Sequence, residues 1–218
     1  MKKLFQAIRK KDNDTVKQLI EKQPKFVNCI AKQPPKKDDG QSPLQIAIKT
    51  GNFEIADFLI ERGSDVNFIE PEGSYDDWRM PVLNYAILAA VMNCRHNSKF
   101  ESGGKIFFQE FSSKEKADAS FGILKRLLES GADVGKKESH GASCVWRLCK
   151  SAEDILPSYS WEEHRVSDSA EVTSQWRSDL SRIFAVLKEY GADFGSEDIK
   201  EFYFEINHPV RQFLISVK

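Results

Sequence analysis

The sequence predicts an all-α fold built from repeated pairs of helices, and three observations carry that expectation. "LIERGSDVN" (59–67) returns as "LLESGADVG" (127–135) and as "LKEYGADFG" (187–195), so one helix ending is written three times along the 218 residues; self-similarity of this kind is the signature of repeat architectures. Each copy places a glycine (Gly63, Gly131, Gly191) where a helix closes on a left-handed residue. Ahead of the first ending, Leu44, Ala47 and Ile48 share one helical face and Phe53, Ile55, Phe58, Leu59 and Ile60 form a second, with Gly51 as the break between them.

Taken in order, the first pair is "LFQAIRKKDNDTVKQLIEKQPKFVN" (4–28). It keeps Leu4, Ala7, Val16, Leu19, Ile20 and a closing Val27-Asn28, but Lys11 and Pro24 stand where glycines are expected. The second pair opens with Pro43, which fits the first turn of a helix, and closes at Asn67. A third opens with "PVLNYAIL" (81–88) and a fourth with "GASCVWRLC" (141–149). From opening leucine to closing glycine the second pair spans 19 positions, the third spans 48 from Leu83, and the fourth spans 46 from Val145. The last two pairs therefore hold long insertions between their helices, at about 93–120 and 151–178.

In the first insertion, Gly103-Gly104 precedes an apolar run at Ile106, Phe107, Phe108 and Phe111 and then Ser112-x-x-Glu115, a capping-box pattern that predicts an early start to the following helix. In the second, Ser160-x-x-Glu163 is followed by Trp161, Val166, Val172 and Trp176, leading into a helix with Ile183, Phe184, Val186 and Leu187. The expectation is that both second helices are extended backwards and that the insertions pack on each other through their aromatic residues as a helical appendage. Residues 196–218, with Ile199, Phe202, Ile206, Val210 and Phe213 interrupted by Pro209, predict a helical C-terminal cap.

At residues 40–67 the chain resembles the ankyrin repeat, a turn followed by two antiparallel helices and a Gly-Ala-Asp-Val-Asn-like close. Gln45 stands where that family usually has histidine, and in the fourth unit Cys144 and Trp146 take the proline and histidine positions. The resemblance implies an all-α solenoid in one domain, 1–218, with repeats at about 1–38, 39–76, 77–137 and 138–195. The degenerate first unit fits a terminal repeat, which faces solvent on one side.

Composition excludes several functions. Thirty-two Lys and Arg against thirty-three Asp and Glu give a net charge of −1, so no bulk charge points to nucleic acid or a membrane surface. Gln6 and the Arg9-Lys10-Lys11 run interrupt an apolar N-terminal stretch before it reaches signal-peptide length, and Ala86–Met92 is far short of a membrane span. Cys29, Cys94, Cys144 and Cys149 form no C-x-x-C pair and read as reduced thiols. The expectation is a cytoplasmic protein, with a leaderless route to another cell left open.

No H-E-x-x-H, G-x-x-x-x-G-K-[ST], G-x-S-x-G or G-x-G-x-x-G occurs. Cys144 and Cys149 fall on positions the family packs, so with His140, Cys94 and His96 they read as structural rather than as zinc ligands. No catalytic residue, cofactor or metal is expected. The alternative is an enzyme or small-ligand site in the appendage, where His96, His164, Glu162 and Arg165 would have to converge.

The resemblance implies a concave protein-binding surface made of finger tips and exposed first-helix positions. Carried over to this sequence, it names Lys49, Phe68, Tyr75, Asp77, Trp78, Arg79, Tyr85, His140, Arg147 and Lys150 as partner-binding candidates. The second finger, "NFIEPEGSYDDWR" (67–79), is rich in aromatic residues beside an arginine, the composition of binding hot spots; the competing reading is that Phe68 or Trp78 folds back onto a neighbour. Arg9, Lys10, Lys49, Arg147 and Lys150, with finger lysines 36, 37, 136 and 137, suggest a partner with an acidic surface. Interleaved Asp38, Asp39, Asp76, Asp77 and Glu138 suggest a merely solvated face. The expected role is a non-catalytic interaction module: a scaffold, a regulator, an inhibitor of the immunity kind, or an effector.

Overall fold

The computed structural model describes residues 1–216, so the last two residues of the expected C-terminal cap lie outside it. Packing divides the chain into two compact units, one made of Met1–Ala89 and Gly122–Ser143, the other of Ala90–Phe121 and the chain from Cys144 onward.

The first unit begins with α1 (Lys2–Lys10) and α2 (Asn13–Lys22), followed by α3 (Pro43–Lys49) and α4 (Phe53–Glu61). It then takes most of α5 (Val82–Met92) and the C-terminal part of α6 (Lys114–Glu129). Helix starts follow local capping chemistry: Asp12 caps α2 and Asn52 caps α4, while α3 begins with a Ser42/Gln45 capping box and Pro43 in its first turn. The expected glycines close their helices with φ of 84° at Gly63 and 88° at Gly131. Where glycine was missing, Lys11 itself adopts φ 57°, and its backbone N–H bonds to Ala7 and Ile8 carbonyls. Leu4, Ile8, Val16, Leu44, Ile48, Ile55, Leu59, Leu83, Ile87, Leu124 and Leu127 are buried and form the core.

A side-chain ladder ties successive repeats together at their closing asparagines. Asn28 donates to the carbonyl of Gly63 at 3.1 Å and accepts from the Asp65 N–H at 2.8 Å. Asn67 does the same to Gly131 and Asp133, at 2.9 and 2.7 Å. Each asparagine thus satisfies a helix-end carbonyl that has no partner inside its own helix.

The second unit holds α7 (Cys144–Ile155), α8 (Ser174–Glu189), α9 (Glu197–Phe202) and α10 (Pro209–Ser216), around a core that includes Leu148, Cys149, Trp176, Leu180, Phe184, Ile199, Val210 and Phe213. The expected backward extension is present: α6 and α8 each run 16 residues. The remainder of the insertions corrects the helical expectation. Residues 97–110 form an antiparallel hairpin of β1 (Asn97–Ser102) and β2 (Lys105–Glu110), and a shorter one joins β3 (Tyr159–Ser160) to β4 (Arg165–Val166).

The caps differ accordingly. Ser113, one residue beyond the predicted Ser112, accepts from the Lys116 N–H, while Ser112 donates to the Asn93 carbonyl. Ser160 does accept from the Glu163 N–H, but within the β3–β4 turn; α8 is capped by Thr173.

The two insertions do meet, mainly through hydrogen bonds and with one ring contact of the expected kind, His96 lying 5.9 Å from Trp176. Asn97 Nδ2 donates to the Glu171 carbonyl at 2.8 Å and its Oδ1 accepts from the Glu171 N–H at 3.0 Å, while Lys99 N–H donates to the Ser169 carbonyl at 2.7 Å. Nearby, Arg95 forks onto Asp179 through two bonds of 2.8 Å. Burial alone would raise the Asp179 carboxyl, but the Arg95 bonds and charge outweigh it and hold the group below the usual range.

Candidate protein-binding face

The fingers of the first unit lie between consecutive helix pairs and are stitched together by polar groups. Across the first finger, Ala31 N–H donates to the Gln41 carbonyl at 2.8 Å and Gly40 N–H to the Ala31 carbonyl at 3.0 Å. Gly40 is backed directly by the second finger: a Cβ there would sit 2.0 Å from Ser74 Oγ. Asp39 spans the same junction, accepting from the Gln33 and Tyr75 N–H groups at 3.2 and 3.1 Å.

Beneath the second finger lies a buried polar network centred on Glu70. One of its oxygens accepts from the Tyr85 hydroxyl and the other from the Met80 N–H, at 2.7 and 2.8 Å. Gln41 Nε2 donates to the Tyr85 oxygen at 2.7 Å, and Lys49 reaches Gln41 Oε1 at 3.3 Å. Burial, reinforced by the neighbouring Glu70 carboxylate, pushes the Tyr85 phenol well above its ordinary pKa. Tyr85 is only 7% exposed. That corrects its place among the contact candidates: its ring is core and its hydroxyl anchors the finger.

The second and third fingers join through Trp78. Its Nε1–H donates to Glu138 Oε2 at 2.6 Å, and its ring lies 4.8 Å from that of His140. Glu138 is buried and also accepts from Asn84 at 2.8 Å. Ser139 N–H bonds to the Arg79 carbonyl at 3.1 Å, Ser139 Oγ accepts from the Arg79 N–H at 3.1 Å, and the same hydroxyl donates to the Asp77 carbonyl at 2.9 Å. Asn84 of α5 and Gln45 of α3 act alike in reaching the following finger: Asn84 Nδ2 donates to Glu138, and Gln45 Nε2 donates to the Met80 carbonyl at 2.9 Å.

The aromatic candidates are both anchored and open. Tyr75 is 56% exposed with Lys36 over its ring at 5.1 Å, and Trp78 is 40% exposed. Phe68 is half-buried, Asp77 and His140 are exposed, and Arg79 is half-buried against the Glu70 carbonyl and Glu72. The structure thus brings Tyr75, Asp77, Trp78, Arg79 and His140 together along the second and third fingers. The basic candidates behave differently. Arg9 and Lys49 both pair with Asp38, which is buried rather than displayed on the finger, so their charge is largely spent within the fold. In the second unit, Arg147 lies over the Trp146 ring at 5.6 Å and Lys150 pairs with Glu153 at 2.7 Å. Asp38 and Glu138, expected on a solvated face, are instead buried, as is Glu70, which the sequence did not single out; their partners lie many positions away along the chain, where local patterning gives no signal.

The groups of the alternative reading have separate surroundings. His96 stacks on Phe111 and bonds to the Cys94 carbonyl, whereas His164 sits in the β3–β4 turn 3.4 Å from Glu205. Arg165 pairs with Glu163, and Glu162 is exposed. Burial, with the Asp179 charge nearby, pushes the Cys94 thiol up to about 12, which keeps it protonated at neutral pH. Among the described residues no group of three or more His, Cys, Asp or Glu side chains is placed to hold a metal ion, and no helix is long and apolar enough to cross a membrane.

A family comparison agrees with the repeat geometry of the first unit. The family described as ankyrin repeats (3 copies) matches residues 4–95. Among solved structures, the chain is similar to an ankyrin repeat domain from Acinetobacter baumannii, at 14% identity and a TM-score of 0.48, with 98% of this chain and 96% of that one covered. It is also similar to a chain in the complex of a predatory endopeptidase with its immunity protein from Bdellovibrio bacteriovorus, at 18% identity and a TM-score of 0.43, with 100% and 99% covered. Within residues 4–95 the chain carries ankyrin repeats, and the asparagine ladder that links their endings continues the pattern to Gly131.

Proposed function

We propose that the chain is a non-catalytic binding module whose first unit receives a partner protein on the fingers, with Tyr75 and Trp78 as the principal contacts. Ankyrin repeats are protein–protein interaction modules. The observation that supports the finer reading is the pairing of anchorage with exposure at the second finger. Trp78 keeps its indole N–H fixed on Glu138 and Tyr75 keeps its backbone N–H on Asp39, yet both rings remain about half open to solvent. Rings held in place lose little conformational entropy on contact, so their burial goes largely into affinity.

The charge that favours an acidic partner surface comes from the exposed Lys36, Lys37 and Lys137 rather than from Arg9 and Lys49. The four unbridged cysteines fit a reducing, cytoplasmic setting. Quantitative affinity capture from a native lysate, comparing the parent with Tyr75→Ala/Trp78→Ala, tests the reading. A protein retained by the parent and lost from the double variant is expected; capture of the same set by both would place the contact surface elsewhere.

A further inference from the structure

The β1–β2 hairpin of the second unit carries an apolar edge that the chain itself leaves open. Its Gly103-Gly104 loop has φ of 59° and 72°, the two positive angles that a tight two-residue hairpin turn requires. The register pairs Ser102 with Lys105, Phe100 with Phe107 and Ser98 with Gln109 on one face. Lys99 with Phe108 and Glu101 with Ile106 share the other. Because the residues flanking a two-residue loop exchange hydrogen bonds, the backbone groups of Lys105, Phe107 and Gln109 point to β1, and those of Ile106, Phe108 and Glu110 point away.

The two edges of this hairpin are treated differently. Along β1, the Lys99 N–H bonds to Ser169, Asn97 exchanges bonds with Glu171, and the Lys99 side chain pairs with Asp168. Along β2, no such cover exists among the described residues, and all six of its residues are exposed. Phe100 and Phe107 stack at 5.5 Å on one face, with Ile106 and Phe108 open on the other. An open, aromatic strand edge is a template for strand addition.

We propose that this edge is a dimer interface, in which β2 pairs antiparallel with β2 of a second copy of the chain. Charge favours self-pairing in that direction. The hairpin carries Lys99 and Lys105 against Glu101 and Glu110, so two copies do not repel. Antiparallel pairing brings the Lys105 end of one strand to the Glu110 end of the other, with the two side chains on opposite faces, whereas parallel in-register pairing would set Lys105 against Lys105 and Glu110 against Glu110 on the same face. A twofold axis normal to the sheet and centred on Phe107 satisfies both the outward backbone groups and the side chains. Ile106 then exchanges hydrogen bonds with the partner's Phe108, and Phe108 with the partner's Ile106. Phe100, Phe107, the partner's Phe107 and the partner's Phe100 form one continuous row across a four-stranded sheet, with an apolar cluster of Ile106 and Phe108 pairs on the reverse face.

Sedimentation of the full chain across micromolar to millimolar concentration tests this directly, and a reversible monomer–dimer equilibrium is expected. Phe108→Pro removes an N–H that faces away from β1, so the internal ladder survives while the dimer dissociation constant rises at least about tenfold. Phe107→Cys places two thiols opposite each other at a non-hydrogen-bonded position, where Cα atoms approach to about 4.5 Å, within disulfide reach. Mild oxidation should then give a covalent dimer, and Gln109→Cys, which faces the partner's Lys105, should not. A parent chain that stays monomeric throughout, whether or not its edge accepts a strand of another protein, overturns the proposal. So does a dimer indifferent to Phe108→Pro, or one that cross-links equally through Gln109→Cys.

Discussion

Trp78 Nε1 and Asn84 Nδ2 converge on the two oxygens of one buried carboxylate, Glu138, across 60 and 54 positions of chain. A single acid on the third finger thereby fixes an indole on the second and the amide of α5. Hydrogen bonds to a charged group are worth roughly 1.5–3 kcal/mol, and orphaning a buried donor costs more than the bond itself. Glu138→Ala should therefore lower the urea unfolding free energy by about 2–4 kcal/mol. Trp78→Phe, which keeps a ring beside His140 but deletes the donor, should cost less. Equal losses for the two variants would mean that the carboxylate does not act on Asn84.

At the end of α1, Lys11 occupies a left-handed conformation that Gly51 fills at the matching end of α3, and it recovers part of the cost by donating from Nζ to the Gly51 carbonyl at 3.1 Å. The left-handed region costs a residue with a side chain roughly 1–2 kcal/mol, more than an exposed hydrogen bond returns. Lys11→Gly is expected to stabilise the chain by about 0.5–1 kcal/mol, and the shift should appear in the denaturant midpoint with the slope unchanged. A destabilised variant would show that the Gly51 contact outweighs the strain.

Leu59 is fully buried on α4, between repeats that bury their apolar faces only against one another. Leu59→Ala should cost about 2–5 kcal/mol by urea unfolding, the range for a leucine removed from a close-packed core. A loss below about 1 kcal/mol would mean that the neighbouring repeats close over the cavity at little cost.

The repeats were legible because each helix must end, and a left-handed glycine followed by a small residue, an acid and an apolar side chain ends it the same way each time. The same logic reaches Asn28 and Asn67, whose side chains bridge to the next helix end. The β1–β2 hairpin was harder to read. Gly103-Gly104 between two six-residue runs is a hairpin signal, but Ile106-Phe107-Phe108 is a short apolar run that suits strand or helix equally. The serines and Glu115 beyond it pulled the reading towards a helix. Tyr85 misled for another reason: in α5 apolar side chains surround the helix, so periodicity gave it no buried face, and only Glu70 and Gln41, brought in by the fold, explain where its hydroxyl goes.

Asp179 gives the second unit an acid-sensitive element. Its carboxyl is held below its unfolded value by the Arg95 bonds. Its stabilising contribution is therefore complete above the unfolded carboxylate range near about 4 and is lost as pH falls through the lower folded value. Asp179→Asn should be less stable than the parent at neutral pH, and the gap should narrow steadily below about pH 4. Denaturant midpoints for both proteins across that range check the sign; a constant gap would show that the Arg95 pair does not titrate with unfolding.

For the partner complex, the two rings and the lysines should separate kinetically. Trp78 and Tyr75 are fixed by their neighbours and half open, so truncating either removes buried contact area in the complex without freeing a finger that Asp39, Glu70 and Ser139 still hold. Trp78→Ala should weaken binding by at least about 2 kcal/mol, the threshold for a hot spot, and mainly by faster dissociation. Lys36 and Lys37 are exposed, so Lys36→Glu/Lys37→Glu should instead slow association and flatten its dependence on salt. Lys49→Glu belongs to neither class: reversing a charge that sits with Arg9 on Asp38 disturbs the first finger itself, and its cost should appear in unfolding as well as in binding. Surface plasmon resonance at two salt concentrations, with Glu162→Ala/Arg165→Ala on the β3–β4 turn as the control, distinguishes these outcomes. Binding that is lost in the control while Trp78→Ala behaves as the parent would move the interface from the fingers to the insertions.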